Sequence, residues 1–241
     1  MKKIFLNSPI KGLTFLALVI FANSCSKEPN DLKSPVPSDS SIELVVTKNN
    51  VLSDNYSFAE ISTITKFRPN ANDIIVFKAD KGTFSNNSST YSVNVSFNDT
   101  TRAFIKYNKP DVVRVTATIF NKYSKEIYVN FLTSFPSQIL ISPDSSSLQS
   151  SFTSKCLIKT KLHRQVGNVS EGLTLNYYDS TATLSGGSIG TFINNTFSDS
   201  QGHATVEYHL QDTSYHGFVF IKSYIDTDTG RVRGLNKIYI R

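Results

Sequence analysis

The sequence contains no tryptophan, one methionine and only two cysteines, Cys25 and Cys156. Without tryptophan the chain lacks the side chain best suited to a flat aromatic platform. It also lacks a glycine-rich loop that would cradle phosphates. The four histidines stand at 163, 203, 209 and 216. His203, Glu207 and His209 share a parity and hence one face of a strand, but His203 and Glu207 stand about 13 Å apart at the strand rise. Only Glu207 and His209 are left to touch one ion, too few ligands for a zinc site. Asp226-Thr-Asp-Thr-Gly230 begins like a calcium loop, yet its twelfth position is Lys237 rather than glutamate, so it reads as a polar hairpin turn. No metal and no cofactor are expected, and no catalytic constellation converges.

Long apolar runs are equally scarce. Leu13–Ala22 is uninterrupted, but about ten residues fall well short of the roughly 20 needed to span a bilayer as a helix. Lys2 and Lys3 precede this run and Ala22-Asn23-Ser24-Cys25 follows it, the layout of a secretory signal. This tetrapeptide resembles the lipobox of bacterial lipoproteins. The resemblance implies a signal peptide over 1–24, cleavage before Cys25, and lipid chains on the Cys25 thiol that attach the chain to a membrane. Two or more chains hold a protein stably where one does not.

The net charge of +6 falls to +3 once Lys2, Lys3 and Lys11 leave with the signal. The remaining basic residues are scattered singly, many alternating with apolar neighbours, so the pattern speaks against a nucleic-acid partner. Residues 25–41 form the lipidated cysteine and a flexible tether: SKEPNDLKSPVPSDS has three prolines and hardly any large apolar side chains. Ser26-Lys27-Glu28 resembles the short charged export signals of Bacteroidota surface lipoproteins. This implies an outer-membrane address and leaves its periplasmic and outer faces open.

After Ile42 the chain alternates with period two. Ile42–Thr47, Tyr56–Ile61, Asp73–Lys78, Tyr91–Phe97, Arg102–Tyr107, Val113–Ile119 and Ile127–Phe131 are short, rich in β-branched and aromatic residues, and separated by turn formers. No helical stripe competes with them. The pattern predicts a small β-sandwich over 42–134. A second set follows, with strands at Ile139–Ile141, Phe152–Leu162, Leu173–Tyr178, His203–Leu210, Phe218–Ile225 and Lys237–Ile240, and predicts a second sandwich over 135–241. Both sets share a landmark order: an apolar strand ending in Phe77 or in Tyr177 and Tyr178, then Gly-Thr-Phe at 82–84 or 190–192. A strand with Ala103 or Ala204 follows, and then Val113-x-Val115-x-Ala117-x-Ile119 or Val219-x-Ile221-x-Ser223-x-Ile225. Two tandem copies of one domain explain this order most simply.

The combination resembles the bacterial Ig-like domains of the invasin and intimin type. The second copy keeps Gly202 before its alanine strand, whereas Asp99-Thr-Thr-Arg-Ala103 in the first lacks that glycine. The resemblance implies an all-β chain of two tandem Ig-like sandwiches with a non-catalytic role in adhesion, display or assembly at the cell envelope. A carbohydrate-binding accessory of a glycan-uptake system is the alternative. The partner is accordingly a protein or a glycan.

Three local expectations follow. Cys156 shares a strand face with Ile158 and Thr160 and reads as an inert core thiol, so no disulfide supports either core. If Val219, Ile221, Ser223 and Ile225 face the core, Phe218, Phe220, Lys222 and Tyr224 face outward; the row Phe218, Phe220 and Tyr224 is then a binding patch, or is covered by a loop or by the neighbouring domain across the short linker Leu132–Ser137. Asp99-Thr100-Thr101 and Asp179-Ser180-Thr181 resemble Bacteroidota O-glycosylation acceptors, which implies modification at Thr100 and Ser180, with plain turns as the other reading.

Overall fold

The computed structural model describes residues 42–67, 72–95, 100–183, 186–194 and 196–241. Residues 1–41, with the signal, Cys25 and the tether, lie outside the described residues. Every regular element among those described is a strand. The first half contains β1 (Ile42–Lys48), β2 (Val51–Leu52), β3 (Ala59–Thr65), β4 (Ile74–Ala79), β5 (Thr83–Phe84), β6 (Thr90–Asn94), β7 (Thr101–Lys106), β8 (Asp111–Ile119) and β9 (Tyr123–Leu132). The second contains β10 (Gln138–Pro143), β11 (Ser147–Leu148), β12 (Lys155–His163), β13 (Asn176–Ser180), β14 (Gly190–Ile193), β15 (His203–Leu210), β16 (Gly217–Thr227) and β17 (Gly230–Ile240).

The repeat is visible in the pairing. Sheets β1-β3-β7-β5 and β2-β9-β8-β4-β6 enclose one core, and β10-β12-β15-β14 and β11-β17-β16-β13 enclose the other. Strand for strand the orders are the same, down to the parallel pairing of β2 with β9 and of β11 with β17. Among the described residues only β6, which pairs with β4, has no counterpart strand. In the second copy Leu173–Leu175 instead hydrogen-bond to Thr196 and Ser198. Each half is therefore a mainly antiparallel sandwich with one buried and one wet face per sheet.

Alternation assigned the faces correctly. Val113, Val115, Ala117 and Ile119 are fully buried, as are Val219 and Ile221, with Ser223 and Ile225 nearly so. Strand limits moved where side chains hold a turn. The Asp54 carboxylate accepts the Tyr56 and Ser57 N–H groups and Asn55 takes a positive φ, so β3 begins at Ala59 rather than Tyr56. Phe152 is exposed in a turn closed by Ser154 N–H to Ser151 C=O, which delays β12 to Lys155. The Asp226–Gly230 segment is a hairpin with Asp228 and Thr229 as its two-residue loop.

The Gly-Thr-Phe landmarks are not strictly equivalent. Phe84 pairs with Ile105, two residues after Ala103, whereas Phe192 pairs with Tyr208, four after Ala204. An even slide keeps both phenylalanines pointing inward. Each packs on the aromatic of the preceding strand, Phe77–Phe84 at 6.3 Å and Tyr177–Phe192 at 5.6 Å between ring centres.

One position tests the repeat energetically. Ser223 stands where the first copy has Ala117, and its hydroxyl is buried without a hydrogen-bond partner. A buried hydroxyl left unpaired costs about 1–3 kcal/mol. Ser223→Ala is expected to stabilise the second sandwich by about 1 kcal/mol. A lowered midpoint in chemical denaturation would show that the hydroxyl has a partner in solution.

Candidate functional site

Two arrangements stand out, a joint between the sandwiches and a face on the second. The joint grows from small polar residues in loops. The linker after β9 buries Ser134, whose N–H donates to Ser170 Oγ at 2.7 Å and whose hydroxyl donates to Asn168 C=O at 2.8 Å. Arg164 donates to Ser134 Oγ and Phe135 C=O. Ser170 also meets Ser53 of the first sandwich, the two hydroxyl oxygens lying 2.6 Å apart. Asn168 N–H donates to Asp54 C=O, Asn108 donates to Glu171 at 2.6 Å, and Lys109 pairs with Glu171 at 3.0 Å. Gly167, at φ +73°, lies so close that a Cβ there would sit 2.5 Å from Asp54 Oδ2. Ser53, Ser134 and Ser170 are fully buried, so these bonds are shielded from water, where they hold best.

The face is the wet side of the β13, β16 and β17 sheet. Cross-strand register sets Tyr239 beside Phe218, Lys237 beside Phe220, Leu235 and Tyr178 on either side of Lys222, and Arg233 beside Tyr224. Phe218 is 47% exposed, and Tyr178, Leu235 and Tyr239 are exposed too; Phe220 and Tyr224 are half-buried. Among the described residues, neither the first sandwich nor a loop covers the row as a whole. Lys222 departs from the expected outward row: it is buried, its Nζ donating to Ala182 C=O and lying 5.4 Å from the Tyr178 ring centre. Arg231 lies over Tyr224 at 3.9 Å and Lys237 over Phe218 at 4.4 Å. The rings Phe218 and Tyr239, and Tyr178 and Tyr224, meet edge to face, so they form no single plane. The basic residues that look scattered in the sequence thus gather here: Lys222, Arg231, Arg233 and Lys237 face one carboxylate, Asp226, which pairs with Arg231 at 2.7 Å.

The remaining candidates have structural partners. Ser180 is buried and its hydroxyl donates to Ala182 C=O, which withdraws it as a glycan acceptor. Thr100 is half-buried, and its Asp99 lies outside the described residues. Asp179 is also buried: Ser188 Oγ, Ile189 N–H and Tyr208 Oη all donate to its carboxylate. Burial beside Asp179 drives the Tyr208 phenol far above its ordinary range. Nothing in the sequence marked this cluster, because an aspartate followed by serine and threonine has the composition of a turn.

Cys156 is buried on the same face as Ile158 and Thr160; burial, with Asp144 Oδ1 at 3.0 Å, pushes its thiol up to about 11. Glu207 and His209 do touch, at 3.0 Å, and Lys155 shares the carboxylate at 3.6 Å. Among the described residues no three histidine, cysteine or acidic side chains gather as metal ligands. Cys25 lies outside the described residues.

No family model matches the chain, and no curated protein matches it in sequence. Solved structures do share its fold. The adhesin InvE of Yersinia pseudotuberculosis superposes with a TM-score of 0.56 at 11% identity, over 85% of this chain and 60% of that one. Invasin, a bacterial integrin-binding protein, superposes with a TM-score of 0.56 at 12% identity, over 83% of this chain and 39% of that one. The chain therefore spans less than two thirds of either protein, and at these identities the likeness is one of fold. That fold is the tandem Ig-like sandwich found in invasin.

Proposed function

We propose that this chain is a non-catalytic lipoprotein of the cell envelope, whose two Ig-like sandwiches act as one stiff module for adhesion or display. The observation that carries the proposal is the joint. Two domains linked by a few residues are expected to move against each other unless their interface is extensive. Here the linker residue Ser134 is buried and bonded to Ser170, which itself meets Ser53 of the first sandwich, and this supports a device that holds the second sandwich in a fixed attitude to the first. Of the proteins of like fold, InvE is an adhesin and invasin an integrin-binding protein. The lipobox-like Ala22–Cys25 and the tether supply the attachment, to the outer membrane in this reading.

The test has two arms. Spin labels at Thr90→Cys and Thr205→Cys, both exposed, report the distance between the sandwiches, and Cys156 stays unlabelled because it is buried with a raised thiol pKa. A single narrow distance distribution is expected, broadened by Gly167→Ala, whose added methyl displaces Asp54. An equally broad distribution in the parent and in the Gly167→Ala variant would refute the stiff joint. In the second arm, Cys25→Ser is expected to move the chain from the membrane to the soluble fraction; retention at the membrane would refute the lipid anchor.

A further inference from the structure

The two copies of the domain provide an internal comparison. On the first sandwich, the wet face of β8 and β9 carries Val112, Arg114, Thr116 and Thr118 opposite Asn130, Tyr128, Glu126 and Ser124, and Arg114 is matched by Glu126 at 3.7 Å. It is a polar, nearly balanced surface. The same face of the second sandwich has four cations, one paired acid and a row of aromatics. Lys222 stands diagonally between Arg233 and Lys237, where like charges repel one another, and burying an ammonium without a carboxylate costs more still. Among the described residues Lys222, Arg233 and Lys237 have no ion-pair partner, so the fold retains a charge cluster that works against its own stability. An anion lying across the face would offset that cost.

We infer that this face binds an acidic polysaccharide, its carboxylates meeting Arg233 and Lys237 in the field of Lys222 while sugar C–H groups lie against the exposed edges of Phe218, Tyr178 and Tyr239. The inference rests on the envelope-module reading, which places the chain among such polymers. Three observations select this ligand. Arg231, Arg233 and Lys237 lie along one strand at even spacing, with about 7 Å between residues two apart, which suits a chain carrying charge at intervals. One side of the Phe218, Tyr178 and Tyr224 rings is taken by a cation and two ring pairs stand edge-on, so there is little open ring surface for the base stacking that single-stranded nucleic acid uses. Phe220 and Tyr224 are half-buried and Lys222 is buried, so the face does not project the aromatic wedge that enters a lipid surface.

The experiment uses the full lipidated chain in detergent and follows affinity electrophoresis through gels containing polygalacturonate or neutral dextran. Retardation by polygalacturonate and none by dextran is expected, fading as salt screens the contacts. The pair R233Q/K237Q is expected to weaken binding at least 10-fold, R233K/K237R to retain it, and R114Q on the first sandwich to leave it within twofold. Equal binding by R233Q/K237Q and the parent overturns the site. So does a complete lack of retardation, tighter binding to a single-stranded oligonucleotide, or a preference for phosphatidylglycerol over phosphatidylcholine vesicles that exceeds polygalacturonate binding. None of these outcomes touches the spin-label distances, so the stiff-module reading stands or falls separately.

Discussion

Asp179→Ala is expected to lower the stability of the second sandwich by about 4 kcal/mol. The carboxylate is buried and accepts from three donors, Ser188 Oγ, Ile189 N–H and Tyr208 Oη. Ser188 is exposed and already reaches Gly190 C=O, so its hydroxyl is satisfied elsewhere. Ile189 N–H and Tyr208 Oη have no such outlet: Tyr208 is fully buried and Ile189 nearly so. Two orphaned buried donors cost about 1–3 kcal/mol each, and the charge-assisted bonds they lose are the stronger kind. For a domain of this size the loss corresponds to a fall of roughly 20 °C in melting temperature. Calorimetry is the suitable probe, because the chain has no tryptophan to report unfolding by fluorescence. Tyr208→Phe removes one donor and leaves the carboxylate two, so a loss of about 2 kcal/mol is expected. The double variant should cost less than the sum, since deleting both partners leaves no orphan at that contact. Strict additivity would show that the pair does not interact in solution.

The fold was legible because each strand buries one face, and burial on one face writes a period of two into the sequence. That is why Val219 and Ile221 fall in the core as the spacing requires, and why Glu207 and His209 meet on one side of β15. Elements of two residues leave too few positions to show a period, so β2 and β11 left no trace and β5 showed only as part of a Gly-Thr-Phe landmark. The joint was equally silent. Ser53, Ser134, Asn168 and Ser170 have the composition of loops everywhere, and their role depends on two loops from different domains meeting. Alternation also says which way a side chain points but not what folds over it. Lys222 points outward as expected and is nevertheless buried, because the segment after β13 brings Ala182 across it. The cationic face is the converse case. Arg231 and Arg233 precede the expected strand Lys237–Ile240 and read as scattered charges until register sets Arg231 beside Asp226, Arg233 beside Tyr224 and Lys237 beside Phe220.

The glycine of the second Gly-Thr-Phe landmark is constrained by space alone, the first by both space and backbone, since a Cβ at Gly82 would lie 2.6 Å from the Lys106 carbonyl oxygen. Gly82 takes a φ of +78°, which an L-residue adopts only with strain. Gly190 has no such backbone requirement; what it lacks is space. A Cβ at 190 would stand 2.4–2.5 Å from three atoms of the Tyr208 ring, Cζ, Oη and Cε2. The ring cannot easily withdraw, because Phe192 packs on it at 5.1 Å between centres and its hydroxyl is bonded to Asp179. The β14 strand cannot easily withdraw either, being paired with β15 from Gly190 to Ile193. Overpacking a rigid site costs typically 1–3 kcal/mol and at times more, so Gly190→Ala is expected to destabilise the second sandwich by about 3 kcal/mol. The decisive comparison is with Tyr208→Leu, which removes the three clashing atoms at its own cost. In that background the further cost of Gly190→Ala should shrink to under about 1 kcal/mol, a coupling of the size seen between residues in direct contact. An undiminished cost in the leucine background would place the constraint in the backbone of β14 and not in the tyrosine ring.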